Sequence, residues 1–168
     1  MLIIFLLKKN GHKKIAVIAG AKDNIHTQRR LQGLKKALEE HNLKFDESIL
    51  FYGDWKKETG YNYCRTLINE KKDFSAIFCF NDLMAAGVYD YINKSKAISF
   101  DDIAIVGFDN RTISQFLIPS LTTMEIPLYE IGRKSADTLL KQIKTNTNEK
   151  QEYFIACNLI ERESVKKI

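Results

Sequence analysis

Four residues that lie far apart in the chain carry side chains suited to a sugar-like ligand: Arg30, Trp55, Asn81 and Asp109. A guanidinium, a carboxamide and a carboxylate supply donors and acceptors, and neighbouring hydroxyl groups need both because each hydroxyl donates and accepts. An indole ring packs against the C–H face of a sugar. These residue types therefore predict a site for a polyhydroxylated small molecule.

Three of these residues follow predicted strands, and Arg30 lies in the first turns of a predicted helix. Short apolar runs bounded by turn residues predict the strands, and apolar residues at helical spacing predict the helices. The predicted strands are 14–20, 48–52, 75–80 and 103–108, and the predicted helices are 27–41, 61–68 and 83–93. This alternation indicates an α/β fold, with a parallel sheet and helices on both faces. Ligands bind outside the carboxyl ends of such strands, so we expect the four side chains to converge there.

After residue 109 the alternation breaks into a predicted loop over residues 110–126. Pro127 then opens a long helix, a favourable place for proline. The apolar side of that helix carries Leu128, Ile131, Leu139 and Ile143. A final strand is predicted over residues 153–160, after a polar turn.

Length and composition indicate one folded domain. The chain has 168 residues, of which 45% are apolar and 28% charged, and this balance excludes a disordered chain. The apolar run Met1–Leu7 is too short to span a bilayer and lacks the basic start of a signal peptide, so we interpret it as part of a secondary-structure element. The net charge of +5 is concentrated in residues 1–44, where a solvated surface is favoured over a phosphate-binding face.

Catalysis and metal binding are not indicated. The three cysteines, Cys64, Cys79 and Cys157, lack zinc-ligand spacing and are expected to be small buried hydrophobes in a reducing, cytoplasmic setting. Neither a dinucleotide-binding nor a P-loop glycine motif is present, and no cofactor is predicted. His12 and His41, which have no nucleophile as a partner, are expected at the surface or as caps.

A simpler interpretation of the polar residues remains open. Asp54, Asn81, Asp82 and Asp109 are residue types that cap helices and form turns after strands. Trp55 could cover the core at the rim of the sheet instead of contacting a ligand. Side-chain partners in the folded chain distinguish these roles.

Several ordered segments resemble the effector-binding domain of the LacI/GalR family of transcriptional regulators. The resemblance runs from about residue 8 to 165 and is carried by these segments: Gly11–Ile18, Arg29–Gly33, Tyr52–Trp55, Phe80–Gly87, Asp102–Asn110, Ile118–Met124 and Leu159–Ser164. The segment Phe80–Gly87 (FNDLMAAG) is similar to the family's N-D-x-M-A-x-G, and Asp102–Asn110 (DIAIVGFDN) is similar to its strand ending in G-F-D-N. One departure is Ile126, where the family commonly has a glutamine that contacts ligand.

The resemblance implies a fold, a domain division and a set of contacts. Residues 1–126 would form the C-terminal lobe of a periplasmic-binding-protein-like domain of type I, residues 127–145 a crossover helix of a first lobe, and residues 151–168 the return to the C-terminal lobe. The effector, a sugar or sugar phosphate, would contact Arg30, Trp55, Asn81 and Asp109, with Asn24 and His26 setting specificity. Operator DNA would be bound only through an N-terminal headpiece that, like most of the first lobe, we expect to lie outside this chain.

The family also implies a homodimer. The expected interface residues are Ala86, Tyr89, Asp90, Phe116 and Leu117, and adjacent apolar residues in a loop such as the last two are typical of an interface. With no first lobe to cover it, the apolar side of the helix that follows Pro127 should favour self-association. Two other interpretations remain: a transport-type sugar-binding protein of the same architecture, and an α/β enzyme. No membrane association is expected.

Overall fold

A computed structural model describes residues 2–168, which form six helices and six strands. The helices are α1 (Leu2–Lys9), α2 (Ile25–Glu40), α3 (Lys57–Asn69), α4 (Asp82–Ser95), α5 (Ile113–Phe116) and α6 (Leu128–Thr145). The strands are β1 (Ile15–Ala19), β2 (Leu50–Tyr52), β3 (Ala76–Cys79), β4 (Ala104–Asp109), β5 (Thr122–Glu125) and β6 (Asn158–Ile160). A 3-10 turn, Glu47–Ile49, leads into β2.

One sheet of six strands organises the molecule, in the order β2-β1-β3-β4-β5-β6. The first five strands are parallel, and β6 pairs antiparallel with β5 at the edge. Helices α1 and α2 pack together, as do α3 and α4, and right-handed crossovers place these two pairs on opposite faces. The predicted α/β class, a mostly parallel sheet with helices on both faces, is confirmed.

The central strands are buried because helices cover both of their faces. Every residue of β1 and of β3 is buried, which explains why these segments are continuous apolar runs instead of alternating ones. The opening apolar run becomes α1, whose Ile3, Ile4 and Leu7 are fully buried; Met1 lies outside the described residues. Within residues 2–168 there is no helix with the length and apolar character needed to cross a membrane.

Two predictions about the second half of the chain were wrong. The predicted loop 110–126 contains α5 and the full strand β5, and only Asn158–Ile160 of the predicted final strand is a strand. The polar segment Thr122–Glu125 does not have the composition of a buried strand, yet Thr122 and Thr123 are fully buried. Their burial is possible because a side chain distant in sequence satisfies buried backbone hydrogen-bonding groups here. The Thr122 amide donates to Ser164 Oγ at 2.8 Å, and Ser164 Oγ donates to the Ile105 carbonyl at 2.5 Å.

His12 and Cys157 also differ from expectation. His12 is not at the surface: it is 1% exposed, and its Nε2 lies 2.9 Å from the Lys166 carbonyl because the C-terminal segment runs across it. Cys64 and Cys79 are buried as predicted, and burial raises the pKa of Cys64 to about 12. Cys157 is only partly buried, since it lies in the irregular segment before β6.

Two glycines allow α3 and α4 to pack in direct backbone contact. A Cβ on Gly60 of α3 would overlap the Met84 carbonyl of α4, and a Cβ on Gly87 of α4 would overlap the Lys57 carbonyl of α3. The obstacle in both cases is backbone, which cannot move aside as a flexible side chain can. This close packing places the loop before α3, which carries Trp55, beside the start of α4, which carries Asn81.

Helix α6 contrasts with the rest of the molecule. None of its residues is buried, and Leu128, Ile131, Leu139 and Ile143 are all exposed. Monomeric proteins seldom leave a contiguous apolar helix face in water. This face therefore departs from the general pattern of apolar burial in the chain.

Replacing Gly60 by Ala should destabilise the chain, because the new methyl group must push α3 away from the Met84 backbone. We expect the free energy of unfolding to fall by roughly 1–3 kcal/mol, the usual cost of overpacking. Gly33→Ala is the matched control, since a Cβ at Gly33 in α2 meets no atom within 4 Å. Alanine there should instead raise stability by up to about 1 kcal/mol through helix propensity. Urea unfolding measures both; equal effects in the two variants would contradict the packing argument.

Candidate functional site

Arg30 is the residue on which Trp55 and Asp109 converge. It lies in the second turn of α2, and its guanidinium donates through Nη1 to the Phe80 carbonyl at the end of β3. The same group lies 5.6 Å from the centroid of the Trp55 ring and 3.8 Å from that of Phe108. Its Nη2 is 3.8 Å from Asp109 Oδ1. Arg30 therefore joins the loops after β2, β3 and β4.

Trp55 is fixed from two sides. Its indole lies over Gly20 at the end of β1, where a Cβ would overlap the ring, so glycine is required there by the close approach. Asn81 Nδ2 donates to the Trp55 carbonyl at 2.9 Å. Asn81 also caps α4, since its Oδ1 accepts from the Met84 amide at 2.8 Å. Asn81 therefore both caps α4 and holds the Trp55 loop beside the site.

Asp109 reaches Arg30 because the strand ends there in an unusual backbone conformation. Alternation along β4 would place Phe108 and Asp109 on opposite faces of the sheet. Asp109 has a φ of 109°, which breaks this alternation, and both side chains lie against Arg30. Sequence reasoning missed Phe108 for this reason: nothing in the residue types signals the change of direction.

Backbone strain is concentrated at this site. Seven non-glycine residues among residues 2–168 have a positive φ, and four of them, Asn42, Lys71, Lys96 and Asn146, follow the ends of helices, where that conformation is common. The other three are Trp55 (69°), Asp109 (109°) and Asn110 (52°). A bulky residue such as tryptophan rarely adopts it. Such strain persists only where surrounding contacts enforce it, and it clusters at functional sites.

The Arg30 and Asp109 charges are both incompletely compensated. Burial lowers the pKa of Arg30, and the attraction of Asp109 opposes that shift only in part. Burial likewise raises the pKa of Asp109, against the attraction of Arg30 and Arg111. For each group, desolvation shifts the pKa more than the attraction of the oppositely charged partner, whose nearest atom is 3.8 Å away, shifts it back. Hydroxyl groups of a ligand that donate to Asp109 and accept from Arg30 would restore the missing interactions.

The two other predicted ligand residues lie at the start of α2. Asn24 is the N-cap: its Oδ1 accepts from the His26 amide at 2.9 Å and from the Thr27 amide at 3.3 Å. His26 is exposed and lines a groove of about 820 Å³ that also borders α6 and residues 151–157. Neither side chain forms a hydrogen bond with Arg30, Trp55, Asn81 or Asp109.

The predicted interface residues divide into two groups. Ala86 and Tyr89 are 4% and 2% exposed, and the Tyr89 hydroxyl donates to the Pro119 carbonyl at 2.8 Å, so both belong to the interior of this chain and leave almost no surface for a partner. Phe116 is 76% exposed, Leu117 is partly buried, and Asp90 pairs on the surface with Lys57 and Lys94. Only these three have surface that a second chain could reach.

The strand order explains why the side chains around Arg30 meet at the carboxyl ends of the strands. The crossover after β1 runs to one side of the sheet and the crossover after β3 to the other, so the ends of these neighbouring strands form a switch point, where open sheets bind ligands. Gly20 directly follows β1, and Phe80 directly follows β3. No group of three or more potential metal-ligating side chains occurs within residues 2–168.

Comparisons with known proteins agree with this architecture. A family model described as a periplasmic binding protein-like domain matches residues 5–165. The transcriptional repressor PurR of Vibrio atlanticus is 31% identical over 160 residues, 95% of this chain and 48% of that protein. The chain spans about half the length of the curated relatives it matches.

Two solved structures superimpose closely on this chain. A LacI transcriptional regulator from Bacillus cereus subsp. cytotoxis has a TM-score of 0.91 at 25% identity, covering 99% of this chain and 59% of that one. A complex of the regulator CelR with cellobiose has a TM-score of 0.87 at 31% identity, covering 96% and 49%. Because the family model covers nearly all of the sequence, this chain belongs to the family of periplasmic binding protein-like domains, in the form found in LacI/GalR regulators.

Proposed function

We propose that this chain is the effector-sensing lobe of a DNA-binding transcriptional regulator, and that its effector is a sugar bound at Arg30, Trp55, Asn81 and Asp109. The observation that carries the proposal is the convergence of a guanidinium, a carboxylate and an indole at the switch point of the sheet. The relatives are transcriptional regulators, and the similar CelR structure contains cellobiose.

The charges of the site favour an uncharged polyhydroxy ligand over a sugar phosphate. Arg30 pairs with the Asp109 carboxylate, which Arg111 also attracts, and Arg30 also donates to the Phe80 carbonyl. An added phosphate would face the Asp109 carboxylate, and like charges repel strongly in a partly buried site. Hydroxyl groups, by contrast, accept from the guanidinium and donate to the carboxylate together.

The division of the chain is part of the same proposal. Residues 1–126 and 151–168 form the C-terminal lobe, and residues 127–145 form a crossover helix that packs against a first lobe. The exposure of the α6 apolar face supports this, since a partner lobe would bury it. Operator DNA is bound through an N-terminal headpiece of the complete regulator, which acts in the cytoplasm.

Two alternative functions make different demands on the gene and on the site. A transport-type sugar-binding protein of the same architecture would carry an export signal upstream of Met1, where a regulator carries a helix-turn-helix. An enzyme would need an acid and a base beside the ligand. Asp109 and Asp82 are the carboxylates nearest to that role, and Asp82 uses both of its oxygens on Thr123 and the Arg111 amide.

Titration of the chain with sugars tests the proposed ligand. Trp55 is the only tryptophan, so its indole N–H gives one signal in a ¹H–¹⁵N NMR spectrum and reports binding even at millimolar affinity. We expect a saturable shift with at least one of cellobiose, glucose, galactose and ribose, and a weaker response to glucose 6-phosphate and hypoxanthine. Asp109→Asn should weaken sugar binding about tenfold or more, because a charged acceptor is lost.

Asp73→Asn is the control for that variant, since Asp73 is exposed and precedes β3 at the opposite end of the sheet. It should bind sugar as the unmodified chain does. A flat titration with every sugar, or a loss of equal size in both variants, would count against the proposed site.

We further propose that the chain forms a homodimer through the surface at α5. The side chains of Phe116 and Ile118 are 76% and 83% exposed, and they flank the partly buried Leu117. Two such apolar side chains on one short segment are typical of an interface. Asp90 on the neighbouring α4, paired with Lys57 of α3 and Lys94 of α4, would lie at the polar rim.

Phe116→Asp should convert the dimer to a monomer in size-exclusion chromatography with light scattering. We choose Phe116 because Leu117 packs partly against the core, so a charge there would disturb folding as well. Leu139→Asp on α6 is the matched control and should leave the α5 dimer intact. If only the α6 variant dissociates the dimer, self-association occurs through α6 and the α5 interface is wrong.

A further inference from the structure

Through its guanidinium, Arg162 makes three hydrogen bonds to the segment that follows β4. Its Nη2 donates to Asn110 Oδ1 at 2.7 Å, and its Nη1 donates to Ser114 Oγ at 3.0 Å and to the Leu121 carbonyl at 2.6 Å. Its backbone amide donates to Thr122 Oγ1 at 2.9 Å. A planar guanidinium with several fixed donors is suited to such positioning, whereas a lysine ammonium is not.

Asn110 is held from a second side as well. Its Nδ2 donates to Glu125 Oε1 at 2.9 Å, so its carboxamide lies between Arg162 and Glu125. Asn110 is the residue next to Asp109, and both have a positive φ. Fixing the Asn110 side chain therefore fixes the strained turn that directs the Asp109 carboxylate toward Arg30.

The Asp82 carboxylate holds the same turn through two further hydrogen bonds. Its Oδ2 accepts from the Arg111 amide at 2.7 Å and its Oδ1 from Thr123 Oγ1 at 2.6 Å, close over Gly107, where a Cβ would overlap the carboxylate. Burial raises the pKa of Asp82 to about 6, although these two hydrogen bonds act to lower it. The turn after β4 is thus held by side chains from α4, β5 and the segment after β6.

Glu125 and Arg162 lie at ends of the two paired edge strands. Glu125 is the last residue of β5, just before the chain continues to α6, and Arg162 lies two residues beyond the end of β6. β5 and β6 pair with each other, with Glu125 opposite Asn158. The exit from β5 toward α6 and the segment after β6 therefore meet at the Asn110 side chain.

We propose that Arg162 and Glu125 are positioning residues: by fixing Asn110, they couple the exit from β5 toward α6 and the segment after β6 to the orientation of Asp109 in the effector site. The inference rests on the proposed function, because Asp109 matters in this way only if it contacts effector. A displacement of either segment would then alter the site, and occupation of the site would alter the two segments. This role requires no contact between either residue and the ligand.

Asp109 can be tested directly without any ligand. We would follow its side-chain carboxyl ¹³C signal through a pH titration, together with the Trp55 indole signal, in the full 168-residue chain. Asn110→Gly removes the side chain that Arg162 and Glu125 share, while glycine tolerates the positive φ. We expect the titration midpoint of Asp109 to fall toward the ordinary aspartate value, because burial is the largest cause of its raised pKa and the freed turn exposes it.

Arg162→Gln should move the Asp109 midpoint in the same direction as Asn110→Gly. Arg162 is not among the charges that shift the pKa of Asp109, so a change reports geometry and not a lost charge. Glu125→Gln keeps an oxygen that accepts from Asn110 and should leave the signals near those of the unmodified chain, whereas Glu125→Ala should not. Arg133→Gln is the control, because Arg133 pairs with Asp137 on the surface of α6.

A second measurement separates this inference from the proposed function. With cellobiose as the probe, Asn110→Gly should weaken binding about tenfold. If the Asp109 and Trp55 signals move in Asn110→Gly but no sugar binds the unmodified chain, the positioning role stands and the proposed ligand fails. If both signals stay within error of the unmodified chain in Asn110→Gly, the positioning role is wrong, whatever the sugar titration shows. Arg162→Gln that unfolds in urea at a lower concentration but keeps both signals would likewise assign Arg162 a purely structural role.

Discussion

A guanidinium that is largely out of water needs partners, and the partners of Arg30 define the site. Water withdrawn from a charge must be replaced by hydrogen bonds or by an opposite charge, or the charge is costly. Arg30 draws on a carbonyl from β3, a carboxylate from β4 and the faces of two aromatic rings. Three loops that are distant in sequence are thereby held at one point. Because the compensation remains incomplete, both charges can still gain from additional hydrogen bonds.

The sheet and the helix packing determine where this can happen. The strand order brings the ends of β1 and β3 together at the switch point, and Gly20 leaves room there for the Trp55 indole. Gly60 and Gly87 bring α3 against α4, so the loop that carries Trp55 reaches the cap of α4 at Asn81. The strained turn at Asp109 completes the arrangement, and it is enforced from outside by Asn110 and its partners. The site is therefore a product of the whole lobe.

Much of this was predictable from the sequence, since the apolar runs and helical spacing are strong local signals. The four strands before residue 109, the helices between them and the convergence of Arg30, Trp55, Asn81 and Asp109 follow from those signals. Strand β5 did not follow, because its buried threonines are satisfied by Asp82, Ser164 and the Arg162 amide, and such long-range hydrogen bonds leave no local trace. Tyr89 could not be assigned to the interior for a related reason: its hydroxyl donates to the Pro119 carbonyl, in the segment that follows Asp109.

The account depends most on whether Arg30 and Asp109 act on each other in the folded chain. A double-mutant cycle with Arg30→Met and Asp109→Asn, measured as the free energy of unfolding, tests this directly. We predict that the two changes are coupled by about 1 kcal/mol, because each charge is left buried without its partner when the other is removed. Effects that add within about 0.3 kcal/mol would mean that the two side chains are independent, and would contradict the account of how the site is built.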